Sequence, residues 1–279
     1  MRTHEPPAAT VARFLAAMTP FVIFGLLYVA MRLVPSYTLR PIDIQPIYEA
    51  ERALFGVAAP DGTLLTPSEW AAAHTTPAAD VIAGLSYLMW VPLPLLFAFY
   101  LFFTGRRTMA FRFAMAFLVV NIVGFTGYYI HPAAPPWYVA QNGFHLITGT
   151  HGNAAGLLRF DDITGIPVFH TIYSGNSNVF AAVPSMHAAY CPVACFYAMK
   201  AHERTWTIVL ATAAAAICWA AVYTSHHYCI DVLLGLATVV LGLTIFESML
   251  MRTAVFRTLF NRAAEAISGP TPTAPATKR

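Results

Sequence analysis

A histidine and an aspartate, four residues apart, stand where a long apolar run begins near the end of the chain. They are His227 and Asp231 in SHHYCIDVLLGLA, residues 225 to 237. Side chains at positions i and i+4 of a helix share one face, with Cβ atoms about 5–6 Å apart. A carboxylate so placed can accept a hydrogen bond from one imidazole nitrogen and make the other more basic. The pattern predicts an oriented nucleophile, and a solvated pair that caps the helix is the alternative.

A second histidine, His187, lies forty residues earlier in NVFAAVPSMHAAY, residues 178 to 190. We predict that Pro184 and Ser185 fall in the first turn of a helix, whose free N–H groups and positive end attract phosphate. Ser185 and Met186 are therefore assigned to substrate binding. His187 would stand beside the anion and give a proton to a leaving oxygen. A structural role for a lone histidine after Pro-Ser is the alternative.

The segments that must position these residues are apolar enough to cross a membrane. Hydrophobic residues make up 58% of the chain and charged residues 10%, well below the quarter that is usual in soluble domains. A bilayer core needs roughly 20 apolar helical residues. Six segments come near that length: 14–31, 81–103, 113–130, 184–199, 206–223 and 231–250. We predict an all-α integral membrane protein, a six-transmembrane-helix bundle with interfacial helices in its long loops.

The distribution of positive charge predicts the side of the membrane that each connection occupies. Twelve of the sixteen lysine and arginine residues fall in the terminal segments and short connections, and four fall in 32–80 and 131–183. Because positive charge is retained in the cytoplasm, both termini are predicted cytoplasmic, and the histidines face a periplasm or lumen. We expect cytoplasmic tails at 1–12 and 252–279, the latter largely disordered at its end, around a catalytic domain at 13–251.

Composition also limits the classes of function. The net charge of +3 is small and dispersed, and basic residues are not interleaved with aromatic ones, which excludes a nucleic-acid groove. The four cysteines lack metal or redox spacing and are predicted to be small buried residues. Four histidines and two aspartates share the loop 131–183, but their spacing fits no familiar metal site. We predict no metal and no cofactor.

The order PSMH and then VYTSHHYCID resembles the type 2 phosphatidic acid phosphatase superfamily over spans three to six. That family has Pro-Ser-Gly-His as its second motif and Ser-Arg-x5-His-x3-Asp as its third. The resemblance implies that His227 attacks phosphorus, Asp231 holds it, and His187 is the general acid. Ala220 and Ala221 replace Ser-Arg, and no Lys-x6-Arg-Pro motif precedes span four. Without those arginines, the site fits a singly charged lipid phosphodiester better than a phosphomonoester dianion.

HPAAPPWY at 131–138 and YEAERALFG at 48–56, with the two histidine motifs, are similar to the inositol phosphorylceramide synthase branch of that superfamily. Those enzymes move phosphoinositol from phosphatidylinositol to a ceramide hydroxyl. The resemblance implies a membrane phospholipid donor, a ceramide-like lipid acceptor and a phosphohistidine intermediate. A lipid phosphatase acting on phosphatidate, a polyprenyl phosphate or a sphingoid phosphate is the alternative. A proton-relaying channel or transporter is disfavoured because charged residues cluster at one interface instead of within the spans.

Further residues of the long loop are candidates for substrate binding. Trp137 and Tyr138 suit the interfacial layer, where an aromatic membrane anchor is the competing interpretation. Arg159 is the only lysine or arginine of the loop and the candidate phosphate cation. Asn176 could hydrogen-bond sugar-like hydroxyls.

Two other segments receive weaker assignments. His226 would point about 100° away from His227 on a helix, which limits it to a supporting role. The stretch 41–56 mixes apolar and charged positions at helical spacing. It is predicted to lie on the membrane surface or to be an ordinary amphipathic connector.

Overall fold

A computed structural model of the chain describes residues 6–175 and 178–269, and most of these are helical. The α-helices in chain order are α1 Pro7–Ala30, α2 Gln45–Phe55, α3 Pro67–Ala73, α4 Pro77–Leu88, α5 Pro92–Phe103, α6 Arg107–Ile130, α7 Pro136–Asn142, α8 Leu158–Thr164, α9 Val168–Ser174, α10 His187–Lys200, α11 Arg204–Tyr223, α12 Cys229–Leu243 and α13 Ala254–Ser268. Apart from a short antiparallel hairpin of β1 (Val57–Ala58) and β2 (Leu64–Leu65), the all-α prediction is confirmed for these residues. Asn176 and the ends of both predicted tails lie outside them.

The number of membrane spans differs from the prediction. The helices that are long and apolar enough to cross a bilayer are Pro7–Leu33, Arg107–Ile130, Arg204–Tyr223 and Cys229–Arg252. α4 and α5 together qualify as a fifth span, bent by 46° at the break between them. α10 has 14 residues, about 21 Å of helix, against a bilayer core of about 30 Å. The described residues therefore hold four candidate spans, or five with the bent pair, and the six-span count is not confirmed because α10 is shorter than a bilayer core.

The helices separate into a central group and a peripheral group. α6 packs against α1, α5, α10 and α12, and α10 packs against α11 as well. α6 buries residues around much of its circumference, whereas α1 and α12 expose large apolar side chains such as Leu26 and Val240. So much exposed apolar surface is typical of a bilayer-facing protein. The architecture is that of a multi-pass membrane protein.

The Pro-Ser-Met segment before α10 is held tightly between α6 and α12. A Cβ atom on Gly235 of α12 would lie 2.2 Å from the Ser185 carbonyl oxygen, and one on Gly124 of α6 would lie 2.2 Å from the Met186 sulfur. The Ser185 N–H donates to the Asp231 carbonyl oxygen at 2.9 Å. Because only glycine leaves this space, the two backbones approach closely enough to join the PSMH motif to the helix that carries Asp231.

α10 begins at His187, later than the sequence predicts. Pro184 and Ser185 precede the helix instead of lying in its first turn, so that part of the prediction is wrong, and the Ser185 N–H is bonded to the Asp231 carbonyl oxygen. The physical reason is the close packing against α12, which uses that N–H before the helix starts. The Ser185 hydroxyl accepts a hydrogen bond from the Ala188 N–H at 3.4 Å and so covers one exposed donor of the first turn.

Candidate active site

Three predicted catalytic residues meet where the loop between α11 and α12 reaches the start of α10. His187 Nδ1 lies 3.0 Å from His227 Nε2. His227 Nδ1 lies 3.3 Å from Asp231 Oδ2. His227 and Asp231 are buried, and His187 is half-buried. The structure thus brings together side chains from two elements that are forty residues apart in the sequence.

The contact between His227 and Asp231 has a different local origin from the predicted one. α12 begins at Cys229, so Asp231 lies in its first turn while His227 precedes the helix. Asp231 Oδ2 also accepts a hydrogen bond from the Tyr228 N–H at 2.9 Å. An acidic side chain at the third helical position commonly reaches back to the residue before the helix. The prediction of an i, i+4 pair on one helical face is wrong, because the chain turns before α12.

The hydrogen bonds assign protons to particular nitrogens of the two histidines. Asp231 is an acceptor, so His227 Nδ1 carries the hydrogen and His227 Nε2 presents a lone pair. His187 Nδ1 must then donate across the 3.0 Å contact. The second oxygen of Asp231, Oδ1, is buried without a hydrogen-bond partner among the described residues. A nucleophilic nitrogen therefore faces a proton donor directly.

Two aromatic rings that the sequence analysis does not identify pack against His187. The ring of Tyr87 stacks on it with a centroid distance of 4.6 Å, and the ring of Trp90 lies 4.3 Å away. Both residues flank the break between α4 and α5, so the 46° bend brings them to the site. The predicted span 81–103 is therefore a bent pair of helices. The prolines of WVPLP were the available signal, since proline favours a helix start over a helix interior.

His226 is buried in the same site. Its Nδ1 lies 3.1 Å from the Thr224 hydroxyl oxygen, and its ring contacts those of Tyr87 and Tyr173. Burial and, to a smaller extent, the nearby His227 lower the pKa of His226 to about 3. His226 is therefore neutral at physiological pH. The expectation that it points away on a helix is wrong, because the chain forms a turn at this position.

Two cavities adjoin the histidines. The histidine cavity, of about 60 Å³, is lined by His187, His226 and His227 together with loop residues. The aromatic cavity, of about 360 Å³, is lined by His187, Trp90 and several tyrosines, with the exposed Arg32 at its wall. Its volume is in the range of small-molecule sites. His187 lines both cavities, whereas His227 lines only the small one.

The two aromatic residues of APPWY occupy different places. Trp137 lines the histidine cavity, and its backbone N–H donates to the Ser225 carbonyl oxygen at 3.0 Å. Tyr138 is fully buried, and its hydroxyl donates to the His145 carbonyl oxygen at 2.8 Å and accepts from the Ile147 N–H at 2.7 Å. The membrane-anchor interpretation is wrong for both, because both rings are buried in protein. Tyr138 holds the loop and does not line the histidine cavity.

Arg159 is engaged elsewhere in the structure. Its Nε lies 2.6 Å from Asp80 Oδ1, and its guanidinium lies over the Tyr223 ring at 5.2 Å. It is not among the residues that line the histidine cavity. Its assignment as the phosphate cation needs correction, because Asp80 already neutralises its charge. Of the other substrate candidates, Met186 lines the aromatic cavity.

The remaining histidines that the structure describes and the four cysteines form no further centre. Among residues 6–175 and 178–269, no group of three histidine, cysteine, aspartate or glutamate side chains is placed to hold a metal ion. His131 Nε2 instead lies 3.0 Å from Asp43 Oδ2. All four cysteines are free.

The described residues thus form a helical bundle in which two facing histidines and a supporting carboxylate lie together at one end of the helices. The PAP2 superfamily profile matches residues 57–245, more than half of the sequence, and the chain belongs to this superfamily.

Two similar proteins indicate which branch of the superfamily the chain resembles. The chain is 50% identical over 247 residues to the phosphoinositol dihydroceramide synthase of Bacteroides thetaiotaomicron, covering 88% of this chain and 81% of that protein. It is 29% identical to the inositol phosphorylceramide synthase of Candida albicans, with 84% of this chain and 47% of that protein covered. These similarities confirm the resemblance to the inositol phosphorylceramide synthase branch and identify the chain as a phosphotransferase. The search of solved structures returned no match.

Proposed function

We propose that the protein is a membrane lipid phosphotransferase that moves phosphoinositol from phosphatidylinositol to the hydroxyl of a ceramide-like lipid. The observation that carries the proposal is the 3.0 Å contact between His187 Nδ1 and His227 Nε2, beside a cavity of about 360 Å³. The name of the relative at 50% identity supports the choice of head group and acceptor.

In the first step, His227 Nε2 forms a bond to the phosphorus of the donor, with Asp231 holding the other ring nitrogen. The bond between phosphorus and the diacylglycerol oxygen breaks, and His187, which enters this step as the imidazolium, gives its Nδ1 proton to that oxygen and becomes the neutral imidazole. Diacylglycerol leaves, and phosphoinositol stays on His227 as a phosphohistidine. The phosphorus atom thus lies between the two imidazoles, which no longer contact each other directly.

In the second step, His187 acts as a base and removes the proton from the incoming lipid hydroxyl. The hydroxyl oxygen forms a new bond to phosphorus, and the bond between phosphorus and His227 Nε2 breaks. Because His187 lines both cavities, each lipid alcohol would place its apolar part in the aromatic cavity while phosphorus lies in the histidine cavity. Water at this position would turn the transferase into a hydrolase, so the Trp90 ring, which packs on His187 and lines the aromatic cavity, favours transfer by excluding water.

The cation that meets the donor phosphate is also part of the proposal. Arg32 does not line the histidine cavity, but it lines the aromatic cavity, which His187 joins to the histidine cavity; Arg159 lines neither cavity and is paired with Asp80. The positive-charge distribution supports cytoplasmic termini and a site that faces a periplasm or lumen. Ser185, Met186, Trp137 and the undescribed Asn176 remain candidates for contacts to the head group.

The test is intact-lipid mass spectrometry of membranes that contain the chain or its His227→Ala variant, supplied with phosphatidylinositol and ceramide. An inositol-containing sphingolipid that appears with the wild type and is absent with the variant is the expected result. Undiminished product from the variant would remove His227 as the nucleophile.

Hydrolysis of a lipid phosphomonoester is the competing function. Ala220 and Ala221, where the phosphatases have Ser-Arg, are buried on α11 and leave that position without a cation. Release of inorganic phosphate from phosphatidate by the purified protein, at a rate above that of transfer, would favour the phosphatase.

A further inference from the structure

Glu51 of α2 is completely buried and binds the start of α12. Its two carboxylate oxygens accept hydrogen bonds from the Cys229 N–H at 2.8 Å and the Ile230 N–H at 3.1 Å. The first N–H groups of a helix have no partner within the helix and need acceptors from elsewhere. A carboxylate at this end also interacts favourably with the helix dipole. Glu51 therefore caps α12 from a separate part of the chain.

The capped turn is the one that carries the reacting groups. Asp231 takes the Tyr228 N–H and Glu51 takes the next two, so two carboxylates bind three consecutive backbone donors. His227 immediately precedes this turn. α3 also contacts this turn, because the hydroxyl of its Ser68 donates to the His227 carbonyl oxygen at 3.4 Å. The orientation of His227 therefore depends on where α2 and α3 hold the backbone.

α2 is itself anchored firmly enough to act as a support. Ile47 packs in a buried cluster with Ala133, Val183 and Tyr228, and its backbone N–H donates to Asp43 Oδ1 at 2.9 Å. Burial raises the pKa of the Glu51 carboxyl, while the two backbone donors act in the opposite direction and favour the carboxylate. The inward face of α2 thus contacts α12, which neither prediction for 41–56 anticipates.

We propose that Glu51 is a positioning residue of the active site, which fixes the start of α12 and thereby the orientation of His227 and Asp231 toward phosphorus. This inference rests on the proposed function, because it takes His227 as the nucleophile. A misplacement of about 1 Å in a reacting group can reduce a rate by about 10²-fold. Removing the Glu51 carboxylate should therefore act on turnover and leave lipid binding unchanged.

The experiment compares Glu51→Gln with Glu49→Gln in the purified full-length enzyme. Glu49 lies on the same helix but is exposed, and among residues 6–175 and 178–269 the hydrogen bond that its side chain accepts comes from Gln45, so its variant controls for the loss of a charge on α2. The Glu51→Gln amide keeps one acceptor and turns its NH₂ group toward a backbone N–H. We expect its kcat to fall by about 10²-fold with KM for phosphatidylinositol unchanged, since positioning affects the transition state. Glu49→Gln should retain the kcat of the wild type.

Thermal unfolding in detergent separates positioning from folding, and Glu51→Asp serves as the second variant. It keeps the charge but is one methylene shorter, so it should have a kcat between those of the wild type and Glu51→Gln. If Glu51→Gln does not fold, a folded Glu51→Asp with lowered kcat and unchanged KM supports positioning. The proposal is overturned if a folded Glu51 variant has the kcat of the wild type, or if neither variant folds. His227→Ala measured in parallel tests the proposed function separately, because activity in that variant would remove the nucleophile whatever Glu51 does.

Discussion

α12 is the first part of a longer helix, Cys229–Arg252, and the two ends of that helix carry polar clusters of opposite character. At the first end, His187, His227 and Asp231 form a chain of contacts that contains no arginine or lysine and adjoins two cavities. At the other end, Glu247 lies in a π-helical turn, Thr244–Met249, that follows α12. Its carboxylate accepts from four donors: Arg112 Nε at 2.9 Å, Arg112 Nη2 at 2.5 Å, Lys200 Nζ at 2.8 Å and the Tyr197 hydroxyl at 2.5 Å.

The difference shows what each cluster can do. The Glu247 cluster joins α6, α10 and the end of α12 and satisfies both carboxylate oxygens, so it holds helices together and leaves no group free to react. The histidine cluster has a lone pair on His227 Nε2 and an unpartnered oxygen on Asp231. Groups left incompletely satisfied beside a cavity are typical of functional sites. We therefore expect substitutions at one end to change chemistry and those at the other to change stability.

The largest effect is expected from His227→Ala. Removing the nucleophile should lower transfer by at least about 10³-fold, because the remaining groups cannot form the covalent intermediate. The midpoint of thermal unfolding in detergent should stay near that of the wild type. Product is measured by lipid mass spectrometry, and a large loss of stability in this variant would contradict the division between the two ends.

His187→Asn should follow in size. Asparagine keeps a hydrogen-bonding side chain but cannot transfer a proton, so the rate should fall by about 10²–10⁴-fold. A donor with a better leaving group than diacylglycerol should recover most of the first step, since it needs no protonation. Single-turnover measurements with the two donors check this, and an equal deficit with both would argue against an acid role.

Glu247→Gln should weaken the fold and spare the chemistry. Arg112 and Lys200 would keep their charges and lose the carboxylate that neutralises them, and the loss of a hydrogen bond to a charged group costs about 1.5–3 kcal/mol of the free energy of unfolding. The kcat of the folded fraction should match that of the wild type. Glu265→Gln, at an exposed position of α13, is the matched control and should change neither quantity.

The smallest effect is the loss of stability at low pH that follows from the protonation of His226. Its folded-state pKa of about 3 lies below its unfolded value, so the stability it contributes is complete above about pH 6.5 and is lost as the pH falls toward 3. At pH 5 that loss is about 2 kcal/mol. His226→Gln cannot be protonated and should show a smaller drop in unfolding midpoint between pH 7 and pH 5. An unchanged drop would mean that other groups govern the acid response.

Sequence reasoning chose residues that meet in the structure, but it was less accurate about their local geometry. The residue types and order of PSMH and HHYCID left structural roles open for His187, His227 and Asp231, and the resemblance to a known superfamily is what singled these residues out. Local conformation was harder. The contact between His227 and Asp231 is present although the helix begins two residues after His227. An acidic side chain in the first turn of a helix can contact the residues just before the helix, so the contact does not need both residues on one helical face.

Substrate contacts were the least predictable part. Arg159 and Tyr138 were candidates for their types alone, and their partners, Asp80 and the loop carbonyl of His145, come from distant or irregular segments that periodicity does not place. Glu51 carries a motif resemblance but no spacing that points to α12, because the contact spans 178 residues of sequence.

The sequence by itself determined the apolar helices, the kinds of reacting groups and their order along the chain, because hydrophobic length and side-chain chemistry are local properties. Only the tertiary structure decided which groups meet. The bend between α4 and α5 brings Trp90 to His187, glycine contacts join Ser185 to α12, and α2 caps the turn beside His227. Each of these depends on the packing of segments far apart in the chain, which no local pattern encodes.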